Sequence, residues 1–81
     1  EQTSYEVNAE ATEEIAKQIR LRDIGGIIII DYIDMNNEEN KEKIKGLLKK
    51  YCKKDRSKTQ IEEFTKLNLL EMTRKHMFSN D

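Results

Sequence analysis

The sequence predicts an α/β (α+β) fold in which two helices pack on a small sheet, in the order helix, strand, helix, strand, strand. Two segments carry apolar residues at helical spacing, the run Ile27-Ile28-Ile29-Ile30 lies between them, and two β-favouring segments follow near the end. Residues 1–81 are accordingly expected to be a single, partial domain, with residues 1–7 and 78–81 as flexible or edge segments.

The composition limits the class of protein. At 81 residues the chain is at most one domain, and a core of this size contributes only about 3 to 5 kcal/mol of net stability. Charged residues make up 38% of the chain, but 16 acidic against 15 basic residues leave a net charge of −1. This balance excludes nucleic-acid binding by bulk basicity, so any contact with RNA must be local.

Cys52 is the only cysteine in the sequence. It excludes an internal disulfide and a zinc site built from several cysteines, and it is typical of a reducing compartment, so we expect a cytoplasmic protein. The isoleucine run is far shorter than the roughly 20 apolar residues that a membrane span needs. Because the sequence begins with glutamate and is small for an enzyme, we expect it to be a piece of a longer protein.

The first helix is expected over residues 9–22. Asn8 is a suitable N-cap, and acidic residues in the first turns favour the positive end of the helix dipole. The apolar stripe of this helix consists of Ala11, Ile15, Ala16 and Ile19. Gly25 or Gly26 is the expected left-handed residue at its end. Residues 1–7 are interpreted as an edge strand or an arm.

The isoleucine run predicts a strand over residues 27–33. Four consecutive β-branched residues are typical of a strand, and the apolar run is too short for a separate helix. Because the run has no polar face, we expect both faces of the strand to be covered, as at the centre of a sheet.

The second helix is expected over residues 38–54. Its apolar stripe consists of Ile44, Leu47, Leu48, Tyr51 and Cys52. Asn36 and Glu39 have the spacing of a capping box, and lysines occupy the C-terminal turns, where the helix dipole favours them. Cys52 on this stripe is interpreted as a core residue and not as a nucleophile.

The last third of the chain predicts two strands. The residues at 59–64 favour a strand with one charged face. Residues 69–73 are ambiguous from the pattern alone, because the apolar residues between Leu69 and Met77 also fit one face of a helix. Residues 78–81 are expected to fray.

Two aspartates at the end of the isoleucine strand are the first candidates for chemistry. Asp31 follows an unbroken apolar run, where an unpaired carboxylate would be costly, so a cation or a set of donors must meet it. Mg²⁺ commonly takes one or two carboxylates and completes its shell with water. Asp34 points to the opposite face unless the backbone bends, so one ligand is favoured over two. The alternative is that Asp31 caps a loop or pairs with Arg20 or Arg22.

A basic cluster is the second candidate. It consists of Arg20, Arg22, Arg74, Lys75 and His76. Arginine offers phosphate two parallel hydrogen bonds and stays charged, so the three arginines are candidate RNA-backbone contacts. The alternative is that these residues occupy solvated ends of helices and strands and pair with Glu14 or Asp23. His76 is interpreted as an ordinary surface residue, because no serine or cysteine nucleophile accompanies it.

Several stretches resemble a known family. They are NAEA (8–11), EIAKQIRLRDIGG (14–26), IDYIDM (30–35) and LLEMTRK (69–75). In this order they are similar to the catalytic segment of the ribonuclease E/G family, and they extend over nearly the whole chain. The resemblance implies part of a subdomain similar to deoxyribonuclease I, and it favours a strand at residues 69–73.

The same resemblance implies an activity. Members of the family are single-strand-specific endoribonucleases of bacterial RNA processing and decay, and they use Mg²⁺ held by two aspartates. The second of these aspartates lies where Asp31 lies here, and the first belongs to an Asp-x-Asn motif upstream of residue 1. Asp34 shares the motif of Asp31 but is not the principal ligand. The implied mechanism is phosphodiester hydrolysis by a water that Mg²⁺ activates, with Asp31 as the catalytic metal ligand.

Only part of the implied enzyme is expected in this sequence. The family's first aspartate, its RNA-binding domain, its 5′-end-sensing region and the zinc link that joins its subunits would lie elsewhere. We therefore expect these 81 residues to be inactive alone and the whole protein to be a homo-oligomer. Asn68 stands where the family usually has glycine, and His76 where it usually has arginine.

A second hypothesis comes from another functional class. The chain could be a non-catalytic α/β module that binds a partner through its lysine-rich second helix or through an exposed sheet edge. Such an edge could also allow the segment to self-associate.

Overall fold

The structure, a computed structural model, describes residues 2–77. Its elements in chain order are helix α1 (Gln2–Leu21), strand β1 (Gly26–Asp31), helix α2 (Glu38–Cys52), strand β2 (Thr59–Phe64) and strand β3 (Leu69–Arg74). The predicted order and the α+β class are confirmed. Residues 69–73 form a strand, and the expected frayed tail at 78–81 lies outside the described residues.

The three strands form one antiparallel sheet in the order β1-β3-β2. The register of β1 on β3 runs from Gly26 opposite Arg74 to Asp31 opposite Leu69. The β2–β3 pairing has a register shift between Ile61 and Phe64, so β2 carries a bulge there. Within this sheet β1 pairs on one side only.

The position of β1 contradicts the prediction that both of its faces are covered. Successive side chains of a strand point to opposite faces, and here only one face meets the core. Ile30 is 7% exposed on the covered face, whereas Ile27 and Ile29 are 78% and 48% exposed. The isoleucine run is apolar on both faces, but β1 is an edge strand and its outer face is exposed.

One hydrophobic core joins both helices to the sheet. Its buried apolar residues are Ala16, Ile19, Ile30, Tyr32, Met35, Ile44, Leu48, Cys52, Leu70 and Met72. The predicted packing of two helices on a small sheet is therefore confirmed, as is the placement of Cys52 in the core. Within residues 2–77, neither helix is both long and apolar enough to span a bilayer.

Helix α1 begins at Gln2, so residues 2–7 are its first turns and not the expected arm or edge strand. Its buried residues are Asn8, Thr12, Ala16 and Ile19. Asn8 is therefore not an N-cap: it lies within the helix with its side chain against the rest of the molecule. The buried stripe that contains the predicted residues Ala16 and Ile19 extends toward the N-terminus of the helix through Thr12 and Asn8.

Helix α1 ends at a left-handed aspartate and not at a glycine. Asp23 has φ of 50°, and the N–H groups of Asp23 and Ile24 donate to the carbonyls of Arg20 and Ile19 at 3.2 and 3.0 Å. These are the two hydrogen bonds of a Schellman motif. Gly26, with φ of 83°, instead begins β1.

The N-cap of α2 is Asn37, whose side chain accepts a hydrogen bond from the backbone N–H of Asn40 at 3.1 Å. The predicted N-cap, Asn36, is therefore wrong by one residue. Between β2 and β3, Asn68 has φ of 62°. Asparagine tolerates this left-handed conformation better than most residues, which agrees with its position where the family usually has glycine.

Candidate functional site

Asp31 is the last residue of β1, and its side chain is exposed. It follows Ile27 and Ile29 on the outer face of the strand, so no loss of hydration forces a cation onto it. The prediction that Asp31 is a buried carboxylate that must be met by a cation or by donors is therefore wrong. The carboxylate remains free to bind an ion, because no ion pair of 4.0 Å or less joins it to a basic group among the described residues.

A groove of about 600 Å³ runs along the free edge of β1, between this strand and α1. Its lining is mainly isoleucine, with Asp31 at the end of the strand and Glu14 and Gln18 on the helix. Asp31 thus stands at an apolar groove that carries a second carboxylate. This groove is where the structure presents the predicted site residue.

Three anchors hold the chain just beyond Asp31. The amide of Asn8 donates to the carbonyl of Ile33 at 2.8 Å, and the Ile33 N–H donates to Asn8 Oδ1 at 3.0 Å. The Tyr32 hydroxyl lies 2.7 Å from Thr12 Oγ1. Met35 is fully buried. Asp31, just before these anchored residues, and Asp34, between Ile33 and Met35, are both exposed.

The Thr12–Tyr32 pair has a defined direction. The Thr12 hydroxyl donates to the carbonyl of Asn8 at 2.7 Å, so its single proton is used. Tyr32 must therefore donate to Thr12. Burial raises the pKa of Tyr32, and the hydrogen bond with Thr12 opposes that shift only in part. The phenol stays protonated at neutral pH and can serve as this donor.

Asn8, Thr12 and Tyr32 were not predicted from the sequence to be parts of the site. A signal was present, because Asn8 and Thr12 lie eight and four residues before Ala16 on one face of the helix. Two polar residues on a core-facing stripe require buried partners. Their identity, the segment after Asp31, depends on the tertiary fold.

The arginines predicted to contact RNA lie in different environments. Arg22 is exposed, and its Nε donates to Gln18 Oε1 at 2.9 Å, while Gln18 Nε2 donates to Glu14 Oε2 at 2.7 Å. Of these three residues, Glu14 and Gln18 line the groove, and Arg22 follows the end of α1. Arg20 instead lines a shallow cleft between α1 and α2, beside Tyr51. Contacts of Arg20 and Arg22 with RNA stay predictions.

The structure contradicts the predicted RNA contact of Arg74. Its side chain is 1% exposed, with Nε and Nη2 donating to the two carboxylate oxygens of Asp55 at 2.7 and 3.1 Å. Nη1 donates to Asp23 Oδ1 at 2.8 Å. This guanidinium joins the ends of the two helices to β3. The alternative pairing with Asp23 is confirmed for Arg74.

His76 lies at the surface near the end of α1, with Nδ1 3.1 Å from the carbonyl oxygen of Asp23. A Cβ at Gly25 would lie 2.7 Å from the His76 ring, so the missing side chain of Gly25 allows this contact. His76 is remote from Asp31 in the β1–β3 register, at the opposite end of the strand. It adds no ligand to the groove.

Asp31 is suited to be one ligand of a hard cation. An exposed carboxylate beside an open groove leaves room for water and for a substrate phosphate, which complete the shell of Mg²⁺ in many enzymes. Within residues 2–77 no three His, Cys, Asp or Glu side chains are grouped to hold a metal ion. The described residues therefore fit part of such a site.

The sequence pattern of the Ribonuclease E/G family matches residues 1–77. Ribonuclease G of Salmonella typhimurium (strain SL1344) is 53% identical over 73 residues, which cover 90% of this chain and 15% of that protein. Ribonuclease G of Escherichia coli (strain K12) is 52% identical with the same coverage. Ribonuclease E of Escherichia coli (strain K12) is 40% identical over 77 residues, 95% of this chain and 7% of its own length.

The match includes both the helix that carries the anchors and the strand that carries Asp31. The chain spans about 15% of the length of the curated ribonuclease G relatives that it matches. The resemblance drawn from the motifs is confirmed over residues 1–77. The chain belongs to the ribonuclease E/G family.

Proposed function

We propose that the chain is part of a metal-dependent endoribonuclease that cleaves single-stranded RNA, and that Asp31 supplies one of its Mg²⁺ ligands. The observation that carries this proposal is the exposed carboxylate of Asp31 at the groove between β1 and α1, in a chain that matches the ribonuclease E/G family. RNA as the substrate, and a bacterial cytoplasmic homo-oligomer as the whole protein, belong to the same proposal.

The proposed chemistry assigns different tasks to the residues. When bound, Mg²⁺ neutralises charge on the scissile phosphate and lowers the pKa of a coordinated water. Asp31 holds the ion from the end of a strand, and Asp34 contributes less. Arg22, which follows α1 and donates a hydrogen bond to the groove residue Gln18, would contact a phosphate of the RNA backbone, and Arg20 would contact RNA on the neighbouring α2 side. The 81 residues alone are inactive, because one carboxylate does not fix the ion.

The test of this proposal is Asp31→Asn in the full-length protein. Asparagine keeps the shape of the side chain but removes its charge, so we expect kcat for a single-stranded oligoribonucleotide to fall by roughly a hundredfold or more. The unfolding free energy should change by less than about 0.5 kcal/mol, because the side chain is exposed. Asp34→Asn is the matched control and should lose less than tenfold (about 1.4 kcal/mol). Unchanged cleavage by the Asp31 variant would contradict the proposal.

We also propose that the isolated chain self-associates through the free edge of β1. Two observations favour this second candidate function: within residues 2–77, β1 pairs only with β3, and Ile27 and Ile29 on its outer face are strongly exposed. An unpaired apolar edge strand is a template for pairing with another chain. The occupant proposed for the isolated chain is a second copy of itself.

A further inference from the structure

The segment after Asp31 leaves the sheet but is not left to solvent. The β1–β3 pairing ends at Asp31 opposite Leu69, so the next residues have no strand partner on β3. Asn8 replaces that partner. Its amide accepts from the N–H of Ile33 and donates to the carbonyl of the same residue, the two-bond pattern that a neighbouring strand would provide.

Asn8 is built into the molecule for this contact. It is 2% exposed on the core-facing side of α1, and a buried primary amide is costly unless it is paired. Thr12, one turn further along α1, is 0% exposed and accepts a hydrogen bond from the Tyr32 hydroxyl. Helix α1 therefore holds two consecutive residues, one by its backbone and one by its side chain.

These contacts fix the chain between the two exposed aspartates. Tyr32 is 4% exposed and Met35 is 0% exposed, so the side chains on either side of the Ile33 clamp point into the core. Asp31 directly precedes the two residues that α1 holds, Tyr32 and Ile33, and Asp34 directly follows them. A shift of the Ile33 backbone would be transmitted to both carboxylates through one or two peptide units.

We propose that Asn8 is a positioning residue for the metal-binding carboxylate: its amide clamp on Ile33, supported by the Thr12–Tyr32 hydrogen bond, sets where Asp31 is held relative to the RNA phosphate. This inference rests on the proposed function of Asp31. It adds a requirement, since a carboxylate that is present but displaced by about 1 Å can lose most of its catalytic effect.

The test uses Asn8→Ala in the full-length protein, with a single-stranded oligoribonucleotide as substrate and a Mg²⁺ titration. We expect kcat at saturating Mg²⁺ to fall by about tenfold or more, KM for the RNA to stay within about threefold, and the Mg²⁺ concentration for half-maximal rate to rise. Mn²⁺ binding, followed by the paramagnetic broadening of nearby amide resonances, should weaken in parallel. That second readout does not depend on turnover.

A pair of variants at Thr12 covers the case in which Asn8→Ala does not fold. Thr12→Val removes the hydroxyl at nearly constant volume and should lower kcat, whereas Thr12→Ser keeps the hydroxyl and should recover most of the loss. Cys52→Ala is the stability control, because it removes a buried side chain of α2 that takes no part in the hydrogen bonds between Asn8 and Ile33 or between Thr12 and Tyr32. It should lower the melting temperature and leave the Mg²⁺ midpoint unchanged.

Two results would overturn the inference. One is a folded Asn8→Ala protein with wild-type kcat and Mg²⁺ midpoint. The other is a loss of activity that follows melting temperature equally in the Asn8, Thr12 and Cys52 variants, which would make the clamp only a source of stability. Failure of the proposed function is separate, because it would appear as normal cleavage by Asp31→Asn.

Discussion

Arg74 is held by carboxylates from two other parts of the chain, and this makes it a structural residue. Asp55 follows α2 and Asp23 follows α1, while Arg74 closes β3. A guanidinium with 1% exposure would be very costly without such partners. The guanidinium of Arg74, near the end of the LLEMTRK motif, therefore joins three elements and is not available to contact RNA.

The Arg74–Asp55 pair predicts a dependence of stability on pH. The hydrogen bond from Arg74 lowers the pKa of Asp55 below its usual value. Since the folded pKa is below the unfolded one, this pair stabilises the fold above the ordinary aspartate pKa of about 3.9, and the contribution is lost as pH falls through the folded value. We expect the unfolding free energy to decline between about pH 5 and pH 2 more steeply for wild type than for Asp55→Asn.

Urea denaturation of both proteins at each pH measures this difference. Cys52→Ala serves as the control, because it lowers stability without removing a carboxylate and should keep the wild-type slope. Parallel curves for wild type and Asp55→Asn would contradict the assignment of the acid response to this ion pair.

At position 23 the preference of a left-handed helix end for glycine competes with the need for a carboxylate beside Arg74. Glycine is the easiest residue to place at a left-handed helix end, and Gly25 and Gly26 lie only two and three residues further along. Asp23 occupies that position instead because its carboxylate is needed: Oδ1 accepts from Arg74 and from the N–H of Met77, both at 2.8 Å. The ion pair offsets the conformational cost.

At the scale of elements, β1 is the case in which pattern and environment differ. A strand with isoleucine on both faces is typical of a sheet centre, but β1 lies at the edge and borders the groove with α1. Its outer face contributes an apolar surface beside Asp31. The same exposed surface is the basis for the proposed self-association of the isolated chain.

Lysine substitutions on β1 test that association. Charged residues on an edge strand oppose pairing with another strand, so Ile27→Lys and Ile29→Lys should weaken dimerisation of the 81-residue chain by about tenfold or more, which is about 1.4 kcal/mol. Stability should change little, because Ile27 is 78% exposed. Sedimentation equilibrium over a range of concentrations gives the association constant.

The matched control is Leu67→Lys, which changes a 76% exposed residue in the connection between β2 and β3. It should associate as wild type does. Equal weakening by all three substitutions would indicate a general effect of added charge. A monomeric wild-type chain at millimolar concentration would rule out the proposed contact.

For the whole molecule, the arrangement predicts weak metal binding by the isolated chain. Asp31 and Glu14 both line the groove, but residues 2–77 contain no cluster of three metal-ligating side chains. With a Kd of about 1 mM, 1 mM Mn²⁺ would add only about 0.4 kcal/mol of stability. We expect the melting temperature to be nearly the same in Mn²⁺ and in EDTA.

NMR line broadening on Mn²⁺ titration locates any binding. Broadening should centre on Asp31 at millimolar ion and be absent from Asp31→Asn, with Asp34→Asn as the control that keeps it. Submicromolar affinity at Asp31 would show that the segment holds a complete site, contrary to the proposal that it supplies only one of several ligands.

The sequence by itself determined the order of the elements, the bounds of β2, the apolar stripe of α2 and the family. These depend on periodicity and on motifs such as IDYIDM, which are local properties of the chain. The left-handed backbone at Asn68 agrees with the glycine that the resemblance implies at this position. The role of Asp31 as a metal ligand, which was inferred from its place at the end of an apolar run and from the resemblance, stays a prediction.

Only the tertiary structure decided which faces and charges are covered. It placed the isoleucine strand at an edge, exposed Asp31, buried Arg74 between Asp23 and Asp55, and joined Asn8 to Ile33 across 25 positions of sequence. The physical reason is that propensity and spacing act between near neighbours, whereas burial and ion pairing depend on which distant segment packs against a residue.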